Sequence, residues 1–266
     1  MKLITTGCSF AVNIVGEIDP NSVSWTSCLE NIVQPDKTIR LGKDSAALDY
    51  MYRSIIDVVI DNLHDDLIVV VGWTSINRWE KFTDKFGSFD IEYAMSTYLD
   101  ETFWKPTPKF FFNDICSKKS YKQYMLNYSS FQEHLKKLHL IIMLAGFLKS
   151  HNIKYVFFNA FEPLDGWKKG TGYYDKSETG EDCPILDKLT NYIKENVNFL
   201  EQTQIEIGAK GGHTERVRIG NYDRHDKSYP YTKKEYFIDD GWHPSELAHK
   251  EWSKVLHREL NKRWKL

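Results

Sequence analysis

Two short segments of this chain carry residue types suited to acyl transfer: Thr6-Gly7-Cys8-Ser9-Phe10 near one end and Asp240-Gly241-Trp242-His243-Pro244 near the other. A hydroxyl nucleophile needs an imidazole to accept its proton and a carboxylate to hold that imidazole in the right tautomer. An aspartate three residues before a histidine supplies both partners from one turn, and a serine brought in by the fold completes the set. Each segment also has a plainer explanation. Gly7-Cys8-Ser9 is an ordinary tight turn into a helix, and Asp240 and His243, with Pro244 and Ser245, are ordinary residues for capping and starting one. Their joint occurrence in this order is what points to a reaction.

The elements that must position these residues alternate between strands and helices. Leu3 to Thr6 predicts a first strand that ends at the Gly7-Cys8-Ser9 turn. Helices are predicted over Ser22 to Val33, Leu48 to Leu63, Ser130 to Ser150, Ile185 to Phe199 and about Ser245 to Arg263, and further strands over Thr38 to Leu41 and Lys154 to Phe158. Leu67-Ile68-Val69-Val70-Val71 is the clearest strand, an unbroken apolar run bounded by Asp66 and Gly72. Such runs fit strands buried on both faces, as parallel sheets require. The alternation predicts a doubly wound α/β fold.

Two stretches break the pattern. Glu80 to Asn127 is crowded with aromatics, and Pro106 and Pro108 interrupt any helix. It reads as a subdomain with its own small core and as a cap over the site, since insertions on α/β scaffolds commonly carry recognition. Gly208 to Tyr236 is polar and suits an exposed loop or hairpin, and its Gly208-Ala209-Lys210-Gly211-Gly212 run lacks the spacing of a phosphate loop.

Composition narrows the partners. The 266 residues are 41% hydrophobic and 27% charged, with 35 Lys plus Arg against 37 Asp plus Glu and a formal charge of -2. No basic excess advertises nucleic acid as a partner. The cysteines Cys8, Cys28, Cys116 and Cys183 show neither metal-ligand spacing nor a dense disulfide pattern, which fits a reducing compartment. The N-terminus turns polar at Thr5 too soon for a secretory signal, and the longest apolar run, Leu138 to Leu148, is too short for a bilayer. The expectation is a soluble cytoplasmic protein with no membrane partner, virion association remaining open.

In open parallel sheets ligands bind beyond the carboxyl ends of the strands. Ser9 follows the first predicted strand, the Gly42 to Ala46 loop the second, Gly72-Trp73-Thr74-Ser75 the third and Asn159 the fourth. These segments, together with Asp240 to Pro244, resemble in order and spacing the successive blocks of the SGNH, or GDSL-type, hydrolases along nearly the whole chain. Trp73-Thr74-Ser75 with Asn77-Arg78 and Glu80 further resembles a phage-associated branch of that superfamily.

The resemblance implies a three-layer α/β/α flavodoxin-like fold over residues 1–266, with the insertion at 80–127, and metal-free, cofactor-free hydrolysis of small-molecule or carbohydrate esters. Carried over by position, Ser9 is the nucleophile, His243 the base and Asp240 its orienting group. The oxyanion falls to the Ser9 N–H, the second block and the third. The second block usually offers a glycine; here Ser45 takes that place, with Gly42 the nearest alternative. The third usually offers an asparagine; here it is Thr74, with Asn77 or Asn159 as substitutes. Trp73 and Trp242 read as packing residues near the pocket, sugar stacking being the other reading, and Arg78 and Glu80 as a structural ion pair. Cys8 reads as a small buried residue, and His249 and His257 as packing or surface groups of the last helix. Three functions follow: an esterase or deacylase, an acyltransferase with the same triad, or an inactive binding or virion-associated protein with this fold.

Overall fold

The computed structural model describes residues 1–12, 23–43, 46–76, 78–83, 90–95, 130–161, 163–165, 183–202, 204 and 244–265. Its strands in chain order are β1 (Lys2–Thr6), β2 (Lys37–Arg40), β3 (Leu67–Trp73), β4 (Arg78–Thr83), β5 (Asp90–Met95), β6 (Lys154–Asn159) and β7 (Phe199–Leu200). The helices are α1 (Trp25–Val33), α2 (Leu48–Asp61), α3 (Ser130–Ser150), α4 (Pro184–Asn196) and α5 (Glu246–Trp264). Five strands form one parallel sheet in the order β2-β1-β3-β6-β7. The order reverses between β1 and β3, the switch point at which such sheets open a crevice at their carboxyl edge.

Burial follows from the period-2 alternation of the central strands. Every residue of β3 is buried. Its Val69, Val71 and Trp73 face a cluster built with Leu48, Met51, Ile55 and Val59 of α2, Leu138, Ile141, Leu144 and Leu148 of α3, and Leu186 and Ile193 of α4. Ile68 and Val70 face the other way, onto Trp25 and Leu29 of α1 and Trp252, Leu256 and Leu260 of α5. The result is the three-layer α/β/α arrangement expected from the sequence. Each fully buried Leu, Ile or Val side chain contributes about 1.5–3 kcal/mol of transfer free energy, so these two clusters dominate the stability of the scaffold.

Several boundaries differ from expectation. β3 runs on through Gly72 and Trp73, because Gly72 presents no side chain to the Phe158 ring, which lies where a Cβ would be 2.7 Å from Cζ. The helix expected over Ile185 to Phe199 stops at Asn196, and Phe199 and Leu200 instead form a short fifth strand with Phe157 and Phe158 as register partners. The last helix begins at Glu246, with Ser245 as its N-cap accepting from the Ala248 N–H. Within the stretch read as an insertion, β4 and β5 pair as an antiparallel hairpin, from Arg78 opposite Met95 to Thr83 opposite Asp90. Arg78 and Glu80 both belong to β4. The rest of the proposed cap and the Gly208 to Tyr236 loop lie outside the described residues.

Candidate functional site

The carboxyl end of β1 leads directly into a tight turn. Thr5, Thr6 and Cys8 are fully buried, and the backbone then folds into a single 3-10 turn over Ser9–Ala11, closed by the Ala11 N–H donating to the Cys8 carbonyl at 2.8 Å. Gly7 permits this return: a Cβ there would stand 2.6 Å from the Ala11 Cβ. Cys8 packs into the apolar cluster facing α2 and α3, as a small buried thiol does. Ser9 is the residue that opens the turn.

The loop after β2 is stitched to this turn. The Leu41 N–H donates to the Thr5 carbonyl at 2.8 Å, continuing the parallel ladder, and the Lys43 N–H donates to the Gly7 carbonyl at 3.1 Å. Gly42 sits over the turn, where a Cβ would meet the Ala11 Cβ at 3.0 Å. On the other flank, Thr26 Oγ1 of α1 donates to the Ala11 carbonyl at 3.1 Å, and Ser253 Oγ of α5 donates to the Trp25 carbonyl at 2.9 Å. The Ser9 turn is therefore clamped between the second loop and the first helix, which is itself tied to the last.

Beyond β3, Thr74 is fully buried and its Oγ1 has no hydrogen-bond partner among the described residues. Its carbonyl is held from below. Lys137 of α3, only 2% exposed, donates from Nζ to the Thr74 carbonyl at 3.1 Å. One turn earlier, His134 is equally buried, and burial holds its imidazole down to about 3, reinforced by the Lys137 ammonium and partly opposed by a backbone hydrogen bond at Leu164. The imidazole is neutral across the physiological range. Lys136, on the flank of the same helix, pairs with Asp49 in the first turn of α2, so α3 is tied to both neighbours of the site.

Asn159 closes β6 as the register partner of Trp73, and the Ala160 N–H donates to the Trp73 carbonyl at 2.8 Å. Asn159 is 1% exposed, and neither Oδ1 nor Nδ2 has a partner among the described residues. Two residues on, the Phe161 ring lies 4.5 Å from that of Phe10. Because β3 separates β1 from β6, this contact requires the segment after Asn159 to lean across the end of β3 toward the Ser9 turn. Trp73 has no exposed surface and packs edge-on against Phe157 at 5.8 Å, the packing role read for it in the sequence.

The last helix runs back along the sheet. Trp252 packs on Phe158 near the carboxyl end of β6, with ring centroids 5.0 Å apart, while Arg263 at the far end bonds Asn198 just ahead of β7. The chain enters this helix from Pro244, on the carboxyl-edge side. His249 is buried on the helix with Nδ1 3.3 Å from the Gln204 amide, and His257 is partly exposed.

The structure thus brings together the Ser9 turn, Gly42, Thr74 and Asn159 at the carboxyl edge. Ser45, Asn77, Asp240, Trp242 and His243 lie outside the described residues, as does the side chain of Ser9. Sequence reasoning missed His134 and Lys137, although a signal existed: they continue the buried stripe of Leu138, Ile141, Leu144, Ala145 and Leu148 at helical spacing. Among the described residues no group of three or more His, Cys, Asp and Glu is gathered to hold a metal ion, and no helix is long and apolar enough to cross a membrane.

A sequence model described as "Family of unknown function (DUF6071)" matches residues 17–177. No curated protein matches the chain by sequence. Among solved structures, the chain is similar to the psychrotrophic esterase EstA from Pseudoalteromonas sp., at 9% identity over 100% of this chain and 99% of that one, with a TM-score of 0.49. It is similar also to a GDSL-like lipase from Bacteroides thetaiotaomicron, at 11% identity over 98% and 88%, with a TM-score of 0.47. A catalytic mutant of an acetylxylan esterase from Geobacillus stearothermophilus aligns at 12% identity over 97% and 93%, with a TM-score of 0.45.

Proposed function

The chain belongs to the family of unknown function DUF6071, and we propose that it hydrolyses ester-linked acyl groups with a Ser-His-Asp triad. Ser9 Oγ attacks the acyl carbon while His243 takes its proton and Asp240 holds the imidazole in the competent tautomer. The alkoxide leaves with that proton, and water then repeats the sequence on the acyl-serine. The Ser9 N–H, the second loop through Ser45 or Gly42, and Thr74 receive the negative charge of the tetrahedral intermediate.

The observation that carries this reading is the convergence at the β1/β3 switch point. The turn opened by Ser9 is bonded to the second loop through Lys43 and Gly7, and the buried hydroxyl of Thr74, without a partner among the described residues, stands at the end of the adjoining strand. The entry to α5 on the same side supports delivery of His243, the residue directly before Pro244. A hydroxyl reaches less far than the amide expected in the third block, which favours slow turnover or a narrow substrate range. Small acyl groups on carbohydrate are the first substrates to screen, and an acceptor sugar in place of water would make the same site a transferase.

The test is reaction of the purified protein with a fluorophosphonate, the modified peptide identified by mass, beside hydrolysis of aryl acetates and acetylated sugars. Ser9→Ala should abolish both labelling and turnover while leaving the thermal midpoint unchanged. Full activity in that variant, or labelling at another residue, refutes the triad.

A further inference from the structure

A buried primary amide with nothing to bond is a cost that a fold rarely carries without use. Each bare donor or acceptor gives up the hydrogen bonds it made to water with nothing in return, and an apolar residue at the same place would give up none. Asn159 is such a residue, with neither amide atom partnered among the described residues at 1% exposure. It stands where the proposed site is weakest. The third block presents the Thr74 hydroxyl where an amide is expected, and Asn159 is the register partner of the residue immediately before Thr74. Alternation along β6 turns it to the sheet face of Tyr155 and Phe157, the face shared by Trp73 and Cys8. The segment that follows it reaches the Ser9 turn through the Phe161 contact with Phe10.

We infer that Asn159 is a catalytic residue whose Nδ2 donates to the oxyanion, supplying from the end of β6 the amide that the third block lacks. The inference rests on the proposed Ser9 chemistry. As the Ser9 Oγ bond to the acyl carbon forms, the carbonyl π electrons move onto oxygen, and the Nδ2–H donates a hydrogen bond to that oxygen without transferring its proton. The serine proton passes to His243 and leaves with the alcohol. When the carbonyl reforms, the hydrogen bond relaxes and Asn159 returns to its starting state.

The test compares wild type with Asn159→Asp, which keeps the shape and removes the donor, and Asn159→Leu, which removes all polarity. Steady-state kinetics on an aryl acetate are read beside inhibition by an aryl trifluoromethyl ketone, whose serine adduct bears the same oxyanion. Loss of one such donor costs about a hundredfold or more in kcat, with KM within about threefold of wild type and ketone affinity falling in step with kcat/KM. A folded variant that keeps its kcat, or one that loses only in KM, overturns the assignment. Should both variants fail to fold, a crystal structure of the wild-type protein phosphonylated at Ser9 decides: Nδ2 within about 3.2 Å of the phosphonyl oxygen supports the role, and a longer separation removes it. A wild-type protein that neither hydrolyses esters nor labels at Ser9 would instead sink the esterase reading, and this inference with it.

Discussion

Mild acid should weaken the scaffold under Thr74 through one residue. His134 is fully enclosed, and its imidazole is held down to about 3 first by burial and then by the Lys137 charge, against an ordinary value near 6.5. In the unfolded chain the ring takes up a proton as the pH falls below about 6.5, whereas in the folded protein it stays neutral until about 3. Its contribution is therefore complete above the unfolded value and is lost progressively between the two. At about 1.4 kcal/mol for each pH unit of displacement, the whole interval corresponds to roughly 4–5 kcal/mol, and the step from pH 7 to pH 5 to about 2 kcal/mol. Glu133, next to it, works the other way: burial raises its carboxyl, opposed by Lys136 and helped by Asp49, so protonating it favours the folded state. The informative quantity is thus a difference between proteins. Urea unfolding of wild type and His134→Gln at pH 7 and pH 5 should show wild type losing about 2 kcal/mol more than the variant across that step. Equal losses in the two proteins would refute the reasoning, since they would mean that His134 protonates as readily folded as unfolded.

Gly72→Ala should destabilise the protein by about 1–3 kcal/mol through overpacking, because the new methyl would press the Phe158 ring, already packed against Trp25 at 5.3 Å and Trp252 at 5.0 Å. An unchanged urea midpoint would show that the ring has room to move. For the proposed triad, kcat/KM on a neutral aryl acetate should fall as mild acid protonates His243. A flat profile between about pH 5.5 and 7.5, in protein shown to be folded throughout, would count against an imidazole base.

The layers of this fold were readable because burial on two faces leaves a continuous apolar run, as in Leu67 to Val71, and burial on one leaves a helical stripe. The errors came where one residue served two rules. Gly72 looks like a strand boundary, yet it lies inside β3 because close approach of Phe158 demands the absence of a side chain. Ile193, Val197 and Leu200 keep the spacing of a helix face, so nothing in the pattern marks the stop at Asn196. There the Asn196 amide turns back to donate to the Tyr192 carbonyl at 3.1 Å, and the two residues of β7 are too few to show alternation. The hairpin of β4 and β5 was missed because β4 breaks the strand period, with Trp79 and Phe82 three residues apart, although Ile91, Tyr93 and Met95 of β5 alternate with Asp90, Glu92 and Ala94.

Candidate catalytic residues stand out from a sequence through their joint order, since Ser or Asp alone at a strand or helix end is an ordinary turn or cap. Residues that support them do not, because His134 and Lys137 have the composition of a solvated helix face. Their position corrects that reading: they continue an apolar stripe into the protein, where a polar group must have a reason to be dry. Asn159 obeys the same logic from a strand. Read as the first residue after Lys154 to Phe158 it belongs to a loop, but the register with Trp73 makes it the last residue of β6, and that single step moves its amide from solvent into the interior. A polar side chain finishing a buried strand, with the segment after it reaching the Ser9 turn through Phe161 and Phe10, is therefore a candidate for chemistry on physical grounds, independently of any motif.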